Sequence, residues 1–286
     1  MRNICIISSN YTYCMIIQNW YYAIINLFPN DNVFIYDKNI STLDKVDILF
    51  ILDEHFIPNN EQWNYSDFIK RLDNSDIQVV ILNVEKVWNS AFPWNEDYQR
   101  TIDNMKNVTQ FFIDIEDAAR YNHKYLNKCL ISKNFKNKFN ISETKINKAV
   151  FVGQYEASWH KERKDILEKV SKVIEVDVFK RDDNKRSTED YINLISQYKY
   201  VVAPISTAIS IPPRFWEILF VGSIPIQQIK PGMERYYEEL QFEDCIYFNN
   251  PNEIPEKIAN HKFEKTNHEM WYEDNLKMMI GDKFNL

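Results

Sequence analysis

Short, nearly continuous apolar runs alternate along this chain with amphipathic stretches, and few architectures accept both. "NICIISS" (3–9), "NVFIYD" (32–37), "VDILFILD" (46–53), "IQVVILNVE" (77–85) and "QFFIDI" (110–115) have strand length and apolar residues at consecutive positions. A strand with one wet face would alternate. A run apolar on both faces belongs to a parallel sheet covered by helices on each side. The covering helices are "YCMIIQNWYYAIINLF" (13–28), stopped by Pro29-Asn30, then "EQWNYSDFIKRL" (61–72) and "EDYQRTIDNMKNV" (96–108).

The stretch 122–147 breaks this rhythm, being polar and lysine-rich with little periodicity. The alternation then restarts. Strands are expected at 148–153, 174–179, 200–206, 223–228 and 245–248, with helices at 161–173, 187–198, 212–221, 254–260 and 268–284. The expected fold class is α/β, with two Rossmann-like doubly wound domains: an N-terminal domain at 1–121, a linker at 122–147 and a C-terminal domain at 148–267. Two such domains imply a cleft between them, with ligands at the carboxyl ends of the strands.

Composition narrows the function. A chain of 286 residues, 45% hydrophobic, has enough apolar surface to fill two cores. Its net charge of -7 argues against general binding to nucleic acid or anionic membrane, though a local basic pocket for a phosphate is compatible with it. With 4 glycines in total, neither G-x-G-x-x-G nor G-x-x-x-x-G-K-[ST] occurs, which disfavours standard dehydrogenases and P-loop NTPases. The 4 cysteines (Cys5, Cys14, Cys129, Cys245) form no C-x-x-C and no zinc-ligand spacing, so they are expected to be reduced and buried. No secretory leader and no membrane-spanning apolar window is visible, and a cytoplasmic location is expected.

"SIPPRFWEILFVGSIPIQ" (210–227) carries the chemistry. Proline is tolerated in a first helical turn, where its missing N–H has no partner anyway, so Pro212-Pro213 marks a helix start. The unpaired first-turn amides and the macrodipole attract an anion there, and Arg214 adds a guanidinium. Glu217, three residues on, shares the face of Arg214 and is placed to accept hydrogen bonds from the two hydroxyls of a ribose. The plain alternative is a helix-surface ion pair, worth under about 0.5 kcal/mol.

The whole block "KYVVAPISTAISIPPRFWEILFVGSIPIQQ" resembles the donor-binding segment of GT-B glycosyltransferases of the exostosin-like type. That family shows a strand ending in Pro, a Ser-rich loop, Arg, two residues, Glu, an apolar run, Gly, two residues and Pro. Here these are Pro204, Ser206, Ser210, Arg214, Glu217, Gly222 and Pro225. α1,3-Fucosyltransferases have a related block, with Lys where this chain has Arg214. The resemblance implies a GT-B fold, with acceptor bound by the N-terminal domain and nucleotide sugar by the C-terminal one. The last helix (268–286) would pack back towards the N-terminal domain. Arg214 would bind the donor diphosphate and Glu217 the ribose.

"VFVGQYEASWHKERKDIL" is similar to the opening of the donor domain. Gly153 would let the backbone approach the nucleotide, and Arg163 would add a phosphate contact or simply be a solvated helix charge. Lys180 follows a strand, facing the cleft or belonging to a basic turn.

Transfer to a hydroxyl with inversion needs a base near the acceptor proton. Glu85 ends a strongly apolar run and resembles the strand-end Glu of the fucosyltransferases, although the Ser-Pro that follows it there is absent here. Asp53 and His55 end another run, and each of the three is otherwise a cap or loop residue. No D-x-D, the Mn²⁺ motif typical of GT-A enzymes, occurs. No metal and no cofactor is expected beyond the nucleotide-sugar substrate (UDP- or GDP-linked), with a glycan or other hydroxyl compound as acceptor. Two other readings stay open: a non-catalytic nucleotide-sugar or glycan-binding protein of the same fold, and a sugar-nucleotide epimerase. The sequence fixes no oligomeric state.

Overall fold

A computed structural model of the protein describes residues 1–8, 15–36, 40–52, 65–83, 96–112, 115–125, 132–133, 139–155, 161–180, 187–204, 213–231, 233, 245–262 and 272–284. The chain divides into two units, Met1–Asn127 with Glu273–Leu286, and Lys128–Tyr272.

The first unit is built on six parallel strands: β1 (Asn3–Ser8), β2 (Asn32–Ile35), β3 (Ile48–Leu52), β4 (Gln78–Asn83), β5 (Val108–Phe112) and β6 (Lys124–Tyr125). They lie in the order β2-β1-β3-β4-β5-β6. The apolar runs supply them because both faces are covered. On one face Cys5, Ile7, Leu49, Ile51, Val79, Ile81 and Phe112 form a core with Phe68, Leu72, Ile102 and Ala118. These come from α2 (Tyr65–Asp73), α3 (Glu96–Asp103) and α4 (Ile115–Arg120). On the alternate face Trp20 of α1 (Met15–Leu27) meets Phe50 edge-on, ring centroids 5.9 Å apart.

Two features depart from the sequence reading. Ile115 does not continue the strand expected at 110–115 but opens α4. Residues 124–125, within the stretch read as linker, form β6 beside β5. In a short apolar run, periodicity cannot tell the end of a strand from the start of a helix.

The second unit has five parallel strands: β7 (Ile146–Gly153), β8 (Val176–Lys180), β9 (Tyr198–Ala203), β10 (Ile224–Gln228) and β11 (Ile246–Phe248). Their order is β11-β10-β9-β7-β8. α5 (Lys161–Val170) and α8 (Ile254–Asn260) cover one face, where Leu167, Val170 and Ile254 pack with Phe151, Val202, Ile226 and Phe248. α7 (Pro213–Phe220) covers the other, its Phe215 stacked on Tyr247, which points oppositely to its neighbours Ile246 and Phe248.

Local signals set the helix ends. α6 (Thr188–Ser196) starts on a capping box between Ser187 and Asp190. α7 ends with Gly222 at φ +68°, its N–H bonded to Leu219 O and that of Ser223 to Ile218 O, the paired closure of a helix C-terminus that favours glycine. At the same edge the Lys145 ammonium donates to Ser196 O (2.8 Å), Val221 O (2.9 Å) and Ser223 Oγ (3.2 Å), joining the C-terminal ends of α6 and α7.

The C-terminal helix α9 (Tyr272–Phe284) belongs, from Glu273, to the first unit. Leu276, Ile280 and Phe284 are buried, Asn26 Nδ2 donates to Glu273 Oε1 (2.8 Å), and Lys283 donates to Thr109 Oγ1 (2.7 Å).

Candidate functional site

A doubly wound sheet of order 2-1-3-4-5 sends the helices after its first and third strands to opposite faces, and a crevice opens at the carboxyl ends of those strands. In the second unit these strands are β7 and β9, followed by α5 and α7. The site is built from what this topology brings to that edge.

Gly153 ends β7 at φ +152°, a backbone conformation that a side chain disfavours. A Cβ added there would lie 2.6 Å from Arg214 Nη2, so the guanidinium at the start of α7 rests directly over the end of β7. Arg214 Cζ is also 5.2 Å from the centroid of the Phe151 ring, two residues back on that strand. Arg163, in the first turn of α5, donates from Nη1 to Gln154 O at 2.9 Å. Burial, with the Arg214 charge adding to it, pushes the Arg163 guanidinium down to about 10. Lys180 ends β8 in register with Gly153, its ammonium 5.7 Å from the Tyr155 ring. Two guanidinium groups thus approach one another at the first turns of two helices, with a lysine on the adjacent strand. Like charges in a half-buried place are unfavourable by themselves, and an anion between them offsets that cost.

Glu217 lies one turn deeper in α7. It acts on the hydroxyl of Tyr191, a residue of α6. Burial raises that phenol well above its ordinary value, the Glu217 carboxylate raises it further and Arg214 opposes. The hydroxyl is buried and makes no hydrogen bond of standard geometry, although both charged groups lie close enough to act on it.

Of the residues singled out in the sequence, Gly153, Arg163, Lys180, Arg214 and Glu217 therefore gather at one edge of the second sheet. Ser206 and Ser210 lie outside the described residues, as do Glu85, Asp53 and His55. In sequence, Asp53 directly follows β3 and Glu85 lies two residues beyond β4. Sequence reasoning missed Tyr191, the ring platforms of Phe151 and Tyr155, and the Gln154 carbonyl. Tyr191 sits beside the apolar stripe of its helix, between Asp190 and the buried Ile192, where nothing in the pattern distinguishes it from a packing aromatic.

A groove of about 720 Å³ lined by Asn140, Ser142, Glu143, Asn193, Ser196 and Gln197 lies by the C-terminus of α6, at the opposite edge of the sheet, and contains none of these groups. Among the described residues no three His, Cys, Asp or Glu side chains cluster as metal ligands. Of the cysteines, Cys5 and Cys245 are described, both free and buried. No described helix is long and apolar enough to cross a membrane.

No protein-family model matches the chain, and no curated protein sequence does. Among solved structures it is similar to an alpha1,3-fucosyltransferase with GDP-fucose, at TM-score 0.52 and 12% identity, over 99% of this chain and 89% of that one. An alpha1,3-fucosyltransferase with GDP gives TM-score 0.49 at 11% identity over the same shares, 99% and 89%. The spinosyn forosaminyltransferase SpnP gives 0.41 at 9%, over 91% of this chain and 89% of that one. At such identities likeness is a matter of fold alone, and the match to the GDP-fucose structure shows it: two doubly wound α/β units, the GT-B fold.

Proposed function

We propose that the protein is a glycosyltransferase that moves a sugar from a UDP- or GDP-sugar to a glycan or other hydroxyl acceptor. The observation that carries this reading is the meeting of Gly153, Arg163 and Arg214 at the switch point of the second sheet, with Glu217 one turn behind Arg214. Such a place suits a diphosphate. Its negative charge offsets the repulsion between the two guanidinium groups, the N-terminal amides of α7 add donors, and Gly153 lets the phosphates come close. Glu217 then accepts from the ribose hydroxyls, and Lys180, with Ser206 and Ser210, adds further contacts. The fold match to a fucosyltransferase holding GDP-fucose makes GDP the first nucleotide to test. The finer likeness to the exostosin-like type rests on the motif around Arg214 alone.

In the proposed chemistry, a base takes the proton from the acceptor hydroxyl and the freed oxygen bonds to the anomeric carbon. The bond from that carbon to the diphosphate oxygen breaks, and the nucleoside diphosphate leaves with the bonding pair. The cations and the helix start stabilise the charge that develops on it, which makes a metal dispensable. Glu85, Asp53 and His55 are the proposed sources of the base.

The test is a thermal-shift screen against UDP, GDP, CDP and their sugars, repeated with EDTA. A nucleotide present at about 100 times its Kd should add roughly 2.7 kcal/mol of stability. Arg214→Ala and Glu217→Ala should remove that gain, and EDTA should not. Equal responses from wild type and both variants would place nucleotide binding elsewhere. Binding without sugar transfer to any acceptor would leave a binding protein.

A further inference from the structure

The groove at the C-terminal end of α6 has no part in the nucleotide reading, and its volume of about 720 Å³ lies within the roughly 300–1,000 Å³ of small-ligand sites. Its described walls come from two pieces of chain: residues 140–143, which lead towards β7, and the last turn of α6 with Gln197. Asn193, in that turn, has its Oδ1 buried with no hydrogen-bond partner. A buried acceptor in that state is rare and costly, and in the wall of a groove it calls for a donor from outside the chain.

The hydrogen bonds of the walls decide what that donor can belong to. Ser196 Oγ donates to Asn193 O (2.8 Å) and accepts from the Ser142 N–H (3.2 Å), and Ser142 Oγ donates to Thr144 O (2.5 Å). Both hydroxyl protons are thus turned into the protein, and the two oxygens offer only lone pairs. Behind them the Lys145 ammonium spends its donors on Ser196 O, Val221 O and Ser223 Oγ. Among the described lining residues none is a cation that could meet a phosphate or carboxylate. Glu143, exposed in the same wall, is opposite in charge to Lys145, so the two offset one another and the groove does not select an ammonium either. What remains is neutral: the carboxamides of Asn140, Asn193 and Gln197, each with donors and an acceptor, beside the serine lone pairs. The groove also has apolar surface. Ile141 is part of its wall, and Ile146, whose N–H donates to Gln197 O at 2.7 Å, is 51% exposed.

We propose that this groove is a binding site for a neutral carbohydrate. Sugar hydroxyls donate to Asn193 Oδ1, the serine oxygens and Glu143, and accept from the carboxamide N–H groups, while the C–H face of a ring lies against Ile141. Asn193 is half-buried, and the broad terminal torsion of an asparagine lets its Oδ1 turn to the ligand with no hydrogen bond to that oxygen to break. The site lies at the edge of the sheet away from Gly153 and Arg214. It uses neither Arg214 nor Glu217, and it stands if the donor reading falls.

The experiment is an amide-resolved NMR titration of the full chain with lactose, maltotriose, cellotriose and chitotriose, and separately with spermidine and inorganic pyrophosphate. At least one of the sugars is expected to shift the side-chain amide signals of Asn193 and Gln197 in a saturable way, with spermidine and pyrophosphate leaving them in place. Asn193→Ala and Gln197→Ala are each expected to weaken that sugar by roughly two- to tenfold, the worth of one neutral hydrogen bond. Asn193→Ala should melt no lower than the wild type, since alanine favours the helix and the oxygen removed has no partner in the free protein. If it fails to fold, the affinity of Gln197→Ala, altered at an exposed position, decides alone. Arg214→Ala should bind the sugar as the wild type does, which separates this site from the donor one. The proposal is overturned if none of the four sugars moves the Asn193 and Gln197 amides, if spermidine or pyrophosphate does so instead, or if both alanine variants of the groove keep wild-type affinity. Loss of sugar binding in Arg214→Ala would overturn it too, by placing the sugar at the donor edge.

Discussion

At the scale of single residues, charges do different work at the two ends of the sheets. At the start of the chain Asp31 accepts from Arg2 through Nε (3.0 Å), Nη2 (2.7 Å) and the backbone N–H (2.8 Å). The Arg2 side-chain hydrogen bonds hold this carboxyl below its ordinary 3.8. A lowered carboxyl stabilises the fold fully above its unfolded value, and that contribution fades as pH falls through the folded one. Asp31→Asn should therefore cost about 1 kcal/mol near neutral pH, a modest figure because Arg2 is 39% exposed. In urea titrations the gap between variant and wild type should hold down to about pH 5 and close below pH 3.8. That Arg214 and Glu217 share one helical face was legible at this scale, since residues three apart along a helix lie on the same side. The approach of Arg214 to Gly153 was not, because it depends on which strands are neighbours.

At the scale of elements, strand positions followed from uninterrupted apolar runs and the limits of α7 from Pro213 and Gly222, while the Ser187 cap of α6 is a feature of the structure. The exceptions are instructive. β6 has only Lys124 and Tyr125, too short for any periodicity, and it exists because β5 offers it an edge. Lys145 looked like one more lysine of a polar linker, yet it satisfies carbonyls at the ends of two helices, where a cation also opposes the helix dipoles. Lys145→Met should destabilise the protein by about 1–3 kcal/mol by leaving the Val221 and Ser196 carbonyls without that donor. Guanidinium unfolding would measure it. Hydrogen exchange should show the loss first in the last turns of α6 and α7, and an unchanged exchange rate there would refute the role.

At the scale of the whole molecule, the chain starts and ends in the same unit, since α9 returns its last turns to the sheet that holds β1. Leu276 and Ile280 are fully buried there, and Arg2 Nη1 donates to Phe284 O at 3.3 Å. Leu276→Ala should cost about 2–5 kcal/mol. Exchange-resolved denaturation should locate the loss among β1, β2 and α1, and equal weakening of β7 and β9 would contradict it. The sequence announced two α/β halves through a pattern restarted after a polar break. It did not reveal the strand orders, which decide where each switch point falls.

What the sequence determined alone is what depends on near neighbours along the chain: buried strands from apolar runs, helix ends from proline and glycine, and a cation and carboxylate on one helical face. Only the tertiary structure decided which distant residues meet. Gly153, Arg163, Lys180, Tyr191 and Arg214 come from five separate elements, and they converge because β7 lies between β8 and β9 in the sheet. Strand adjacency is set by the packing of whole faces against one another, a sum over many weak contacts that no short stretch of sequence contains.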